Sequence, residues 1–150
     1  MIVERATNEA FHSNCYLVLD APGGEAVIID AGSPVEPLIE AAQRHDVRPS
    51  RVLLTHHHGD HVDGIATLTR RWTDVAVLID ERERALVPAA TAAIAPGEEL
   101  HAGSLAVRAL HTPGHTVGMI SFLVSDGPQS AVFTGDTLFR CSVGGVRAPR

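Results

Sequence analysis

No apolar run in this chain approaches the roughly 18–20 residues that a membrane-spanning helix needs. Cations are in deficit: 12 Arg and no Lys stand against 18 Asp and Glu, for a formal net charge of −6. Phosphate backbones are bound by clustered cations, so nucleic acid is excluded as a general partner. That every cation is Arg carries no functional reading. Cysteine is scarce as well, with Cys15 and Cys141 the only two; free thiols are expected of such a pair, not a disulfide framework. The opening residues Met1-Ile2-Val3-Glu4-Arg5 lack the basic region and apolar stretch of a secretory signal, and the cytoplasm is the expected location. There is no internal repeat and no low-complexity segment. What remains, 150 residues with 45% hydrophobic and 20% charged, is the composition of one soluble globular domain spanning residues 1–150.

Histidine is concentrated instead. His56, His58, Asp60 and His61 fall within Thr55-His56-His57-His58-Gly59-Asp60-His61, directly after the apolar run Val52-Leu53-Leu54. Neutral imidazole and carboxylate are the ligands that a divalent metal of intermediate softness prefers. In an extended chain residues two apart point the same way, so His56 and His58 can pinch one ion while His57 faces the other side. Gly59 then lets the backbone swing, freeing Asp60 and His61 to face a second ion. The bland reading is a solvated His-rich loop, and four ligand-type residues in six positions argue against it.

Apolar runs and turn residues place this motif in an α/β fold. Asn14–Asp20 and Glu25–Asp30 read as strands joined by a turn at Ala21-Pro22-Gly23-Gly24. Ser33-Pro34-Val35-Glu36 predicts a helix start, with Ser33 as cap, Pro34 in the first position and Glu36 closing a capping box; the helix runs to about Asp46. Arg51–Thr55 is a short strand, apolar at consecutive positions as when both sheet faces are covered, and it delivers the histidines at its C-terminal end. A second helix is predicted from about Val62 to Trp72, a strand at Val75–Ile79, a short helix at Glu81–Leu86 and a loop over Pro88–Pro96. Ser104–Leu110, Gly118–Ser125 and Ser130–Thr134 complete the strands.

Two later stretches carry further ligand-type residues. His111-Thr112-Pro113-Gly114-His115-Thr116 presents His115 behind a Pro-Gly pair that favours a type II turn. Asp136 follows the apolar run Ala131-Val132-Phe133-Thr134-Gly135, where it serves either a metal or the capping of the next turn. His111 suits a surface or supporting role, and His12, His45 and His101 lie outside any ligand motif.

Taken in order, the His-x-His-x-Asp-His run, the Thr-Pro-Gly-His-Thr run and Phe133-Thr134-Gly135-Asp136-Thr137-Leu138-Phe139 resemble the signature of the metallo-β-lactamase superfamily of hydrolases. Thr-His-His-His-x-Asp-His together with Gly-Asp-Thr-Leu-Phe most resembles its glyoxalase II (hydroxyacylglutathione hydrolase)-like branch. The resemblance runs from about residue 10 to the C-terminus. It implies a four-layer αβ/βα sandwich, here lacking the last strand and helix, because family members continue past the Gly-Asp element to a further Gly-His motif. A C-terminally truncated member is therefore expected, with an exposed sheet face that favours a homodimer. The resemblance further implies that His56, His58 and His115 hold a first metal, that Asp60 and His61 hold a second, and that Asp136 bridges them. Two zinc ions per chain are expected, with iron or manganese as alternatives. Cys141 reads as a replacement thiolate ligand or as a small buried residue.

The function implied is hydrolysis of a small-molecule thioester or related ester, with Asp60 as the catalytic residue that orients the attacking hydroxide and shuttles its proton. Two other readings stand beside it. One is a mononuclear iron oxygenase similar to the persulfide dioxygenases of the same superfamily, using His56, His115 and Asp136. The other is a non-catalytic metal-binding remnant, since function belongs to the site and not the scaffold.

Overall fold

The computed structural model describes residues 1–146. The chain opens with three antiparallel strands, β1 (Ile2–Thr7), β2 (Asn14–Leu19) and β3 (Glu25–Ile29). Helix α1 (Glu36–Arg44) leads to β4 (Arg48–Leu53), and the short helices α2 (Gly59–Val62) and α3 (Ile65–Arg71) lead to β5 (Ala76–Ile79). Helix α4 (Glu81–Arg84) and the two-residue β6 (Ala92–Ala93) complete a six-stranded sheet in the order β1-β2-β3-β4-β5-β6, parallel from β3 onward. The second sheet is antiparallel, in the order β10-β9-β8-β7, built from β7 (Glu99–Ala102), β8 (Leu105–His111), β9 (Ile120–Asp126) and β10 (Gln129–Phe133). A 3-10 turn at Gly135–Thr137 and the small ribbon of β11 (Leu138–Phe139) and β12 (Ser142–Val143) follow.

Two apolar layers hold these parts together, and the central strands feed both. Ala26, Ile28, Val52 and Val77 pack under the helices with Leu38, Ala41 and Leu68. Their neighbours Val27, Ile29, Leu53 and Leu78 point the other way, against Leu105, Val107, Phe122 and Val124 of the second sheet. Consecutive apolar residues in β3, β4 and β5 are thus the mark of strands covered on both faces, as predicted for β4. Among the described residues the four α-helices all precede the second sheet. Of the positions on that sheet's outer face, Val132 is 52% exposed. Among the described residues no helix is long and apolar enough to cross a membrane.

Several boundaries differ from the sequence expectation. Helix α1 begins at Glu36, not at Ser33; Val35 stands at its cap without a side-chain hydrogen bond, and Pro37 occupies the first turn, where the missing N–H costs nothing. Ser33 instead gives its carbonyl to the Asn8 side chain. The helix predicted from Val62 to Trp72 is split at Asp63-Gly64, because the Gly64 N–H donates to Ala31 O and draws the backbone toward the end of β3. The segment expected as a loop over Pro88–Pro96 contributes β6 as an edge strand. β1 and β7 were not foreseen, since Glu4, Arg5, Glu99 and His101 interrupt their apolar residues.

Candidate metal centre

The site forms where the two sheets meet. Strand β4 ends at Leu53, and the Thr55 carbonyl accepts the N–H of Ile120 at the start of β9, tying the first sheet to the second just before the histidines. His58 is extended and caps α2, so the chain turns there and carries Asp60 and His61 on the first turn of that helix. Gly135 has φ +48, and a Cβ there would collide with the Thr55 hydroxyl; the bare backbone lets the 3-10 turn bring Asp136 against the β4 loop.

Four side chains converge. His56, His58, His115 and Asp136 each offer one ligand atom, and these atoms lie within 4.8 Å of one another. His58 Nδ1 sits 3.0 Å from His56 Nε2 and 2.9 Å from His115 Nε2. His115 Nε2 is 3.3 Å from one Asp136 oxygen, and His61 Nε2 is 3.1 Å from the other. Asp60 approaches the same nitrogen of His61 at 3.5 Å. The two oxygens of Asp136 therefore face two different imidazoles, those of His115 and His61. His57 turns away from all of these, toward Glu83.

Hydrogen bonds fix which nitrogens are bare. Asp30, 1% exposed at the end of β3, accepts the Thr55 N–H at 2.7 Å and the Thr55 hydroxyl at 2.9 Å. With its proton committed there, Thr55 Oγ1 accepts the Nδ1–H of His56 at 3.0 Å, which leaves His56 Nε2 as a lone pair aimed into the cluster. Asp30 also accepts the Nδ1–H of His61 at 2.8 Å, leaving His61 Nε2 toward Asp136. His115 donates its Nδ1–H to the carbonyl of Gly145 at 2.8 Å, with the same consequence. Lone pairs and a carboxylate crowded together repel unless a cation lies among them, so the donor set fits a divalent metal.

Burial and charge act differently on the individual imidazoles. Burial pushes the His56 imidazole down to about 2, with the charge of His61 adding to the effect, so His56 is neutral as a ligand must be. His58 is likewise lowered by burial and by His115 and His57. Burial also opposes charge on His61, but Asp30 and Asp136 outweigh it and raise that imidazole to about 10, so in the metal-free protein it is charged and its Nε2–H donates to Asp136. Asp136 is raised by burial yet held below its ordinary value overall by its hydrogen bond to His61 and the nearby imidazoles.

Two clefts open onto the cluster. One of about 510 Å³ reaches His61 and Asp136 past Phe11, Tyr16, Phe133 and Phe139. The other, of about 870 Å³, reaches His58 and His115 past Arg82 and Val117. Of the remaining candidates, His111 donates to the Val117 carbonyl from an exposed position, and His45 pairs with Glu4. Cys141 is exposed, with φ +63, and is not one of the converging residues, which corrects the expectation of a buried residue there. Cys15 is buried and unpaired. Sequence reasoning passed over Asp30, Thr55 and Glu83. The available signal for Asp30 was an acidic residue closing the apolar run Ala26-Val27-Ile28-Ile29, since a charge buried there must be paired.

A mixed α/β sandwich with a histidine and carboxylate cluster at the ends of its strands is the class of protein these observations define. The chain belongs to the metallo-β-lactamase superfamily, whose pattern it matches over residues 8–149. It is 42% identical over 135 residues to a hydroxyacylglutathione hydrolase of Xanthomonas axonopodis pv. citri, covering 90% of this chain and 50% of the relative. The chain spans about half the length of the curated relatives it matches. Among solved structures, the B3 metallo-β-lactamase BLEG-1 superposes with a TM-score of 0.82 at 26% identity, covering 97% of this chain and 78% of that one. TTHA1623 in a di-iron-bound form superposes at 0.74 with 31% identity, covering 95% of this chain and 76% of that one.

Proposed function

We propose that this chain is a metal-dependent hydrolase of thioesters, with a hydroxyacyl thioester of glutathione as the substrate class. The observation that carries the reading is that Asp136 lies in the cluster of His56, His58 and His115, with one oxygen 3.3 Å from His115 and the other 3.1 Å from His61. Two cations suit this arrangement, the first among His56, His58, His115 and Asp136, the second among Asp60, His61 and Asp136. Zinc is the metal proposed, since imidazole and carboxylate suit it. Iron remains the alternative on account of the di-iron form of TTHA1623. Bound divalent cations supply hydroxide at neutral pH and polarise the carbonyl under attack.

The chain's own groups do the rest. Asp30, directly to His61 and through Thr55 to His56, keeps the Nε2 atoms of both rings aimed inward. The Asp60 carboxylate, beside His61 Nε2, takes up the proton of the attacking water and returns it as the C–S bond breaks. Thiolate leaves readily, so this modest acid assistance suffices for a thioester where an amide nitrogen needs more. The clefts on either side of the cluster accept the acyl and thiol arms. In a cytoplasmic setting a homodimer through the outer face of the second sheet, where Val132 is 52% exposed, completes the proposed assembly.

The mononuclear oxygenase reading leaves His58 outside the site, and its Nδ1 lies between the nitrogens of His56 and His115, which favours the hydrolase. The test is release of free thiol from a hydroxyacyl thioester of glutathione. Turnover is expected to cease on chelation and return on adding zinc. Oxygen uptake on a persulfide in place of thiol release would overturn the reading.

A further inference from the structure

His57 and Glu83 take no part in the cluster, yet Glu83 is 2% exposed, a buried carboxylate on a four-residue helix. One of its oxygens accepts the backbone N–H of His57 at 2.9 Å and the ring Nδ1–H of His57 at 2.7 Å. The other accepts the backbone N–H of Gly118 at 2.8 Å. His57 lies between His56 and His58, and Gly118 lies three residues beyond His115, so one carboxylate grips both loops that supply the three clustered imidazoles. Helix α4 is itself held in place. Asp80, 2% exposed at its cap, accepts the Arg82 N–H at 2.9 Å and binds the Arg82 guanidinium at 2.7 and 2.6 Å. The approach at Gly118 is close: a Cβ there would lie 2.5 Å from Glu83 Cγ and 3.0 Å from Asp80 Oδ1.

We infer that Glu83 is a positioning residue for the metal centre, a carboxylate staple that fixes the His56–His58 loop against the His115 loop so that the three nitrogens meet. The inference rests on the reading of the histidine cluster as a metal site. Buried, hydrogen-bonded carboxylates of this kind keep their place because each oxygen is matched by donors, and losing one acceptor leaves an N–H unpaired. Glu83→Gln removes the charge and replaces one acceptor oxygen with an NH2 donor, which must then face an N–H of either His57 or Gly118. Gly118→Ala leaves the carboxylate charged and displaces it sterically.

The experiment loads the 150-residue chain and both variants with cobalt(II), measures affinity by competition with a chromophoric chelator and records the visible absorption of the bound ion. Folding of the metal-free proteins is followed separately by thermal melting. In both variants the affinity is expected to fall about 10–100-fold, as for other residues that orient metal ligands, with a changed cobalt spectrum. A residue of merely structural importance would lower the melting temperature and leave both metal readouts alone. Should Glu83→Gln not fold, Gly118→Ala carries the same comparison. Affinity within twofold of the parent chain with the same spectrum, in either folded variant, would overturn the staple. Failure of the parent chain itself to take up cobalt would overturn the metal-centre reading and the staple with it.

Discussion

Asp30 holds more of the site in place than any side chain that points into it. Its buried carboxylate accepts from Thr55 twice and from His61 once. Replacing Asp30 with Ala strands two donors on Thr55 and the His61 imidazole without an acceptor. Removing one partner of a buried charged pair costs about 3–5 kcal/mol, and urea unfolding of the metal-free Asp30→Ala chain is expected to register a loss of that size. A change under about 1 kcal/mol would mean water or neighbouring groups already satisfy these donors. The prominence of His56, His58, Asp60 and His61 in the sequence comes from their closeness along the chain. Asp30 and Glu83 act on residues 25 to 35 positions away, and which partners they meet is not announced by any local pattern.

Strand β2 and the β11–β12 ribbon put the two cysteines in opposite settings. Burial pushes the Cys15 thiol up to about 12, with the charge of Asp30 adding to it, and its Sγ donates to the Gly32 carbonyl at 3.5 Å. Cys141 is exposed between β11 and β12. Thiolate is the reactive form, so an aromatic disulfide reagent at pH 8 should titrate one thiol per folded chain rapidly and the second only in guanidinium. Two fast thiols in the folded protein would contradict the packing of β2. Elements of this kind were legible wherever an apolar run was continuous, as in β2, β3 and β5. The start of α1 was misplaced because Pro34 and Pro37 both satisfy the rule for a first turn, and only packing of Leu38, Ala41 and Ala42 selects between them. The break between α2 and α3 depends on a bond from Gly64 to the end of β3, again a tertiary contact.

For the whole molecule without metal, the buried imidazoles set the dependence of stability on pH. His56 is lowered to about 2, so below its ordinary value of 6.5 the unfolded chain takes up a proton that the folded chain refuses, and stability falls as pH falls. His61 is raised to about 10, so its contribution is complete below 6.5 and is lost as pH rises toward 10. Each group changes stability by at most about 1.4 kcal/mol per pH unit. Denaturant unfolding of the chelator-treated chain is expected to give a maximum between pH 6 and 7, falling on both sides, to the order of this per-unit limit. A monotonic rise from pH 5 to 9 would contradict the environment described for His61.

The apolar strands and the order of the three motif stretches were legible in the sequence because they depend on apolar runs and on spacing, whereas the two-sheet sandwich was implied only by the family resemblance. How the sheets join, through Thr55 O and Ile120 N, and which atoms meet were not legible. The claim on which the functional account depends is that one carboxylate, Asp136, serves two metal ions. Metal content by mass spectrometry on the purified chain and on Asp136→Ala tests it most directly. Two zinc ions per chain, reduced to one or none in the variant, is the predicted result. One iron per chain, or a zinc content unaffected by the loss of Asp136, would contradict it.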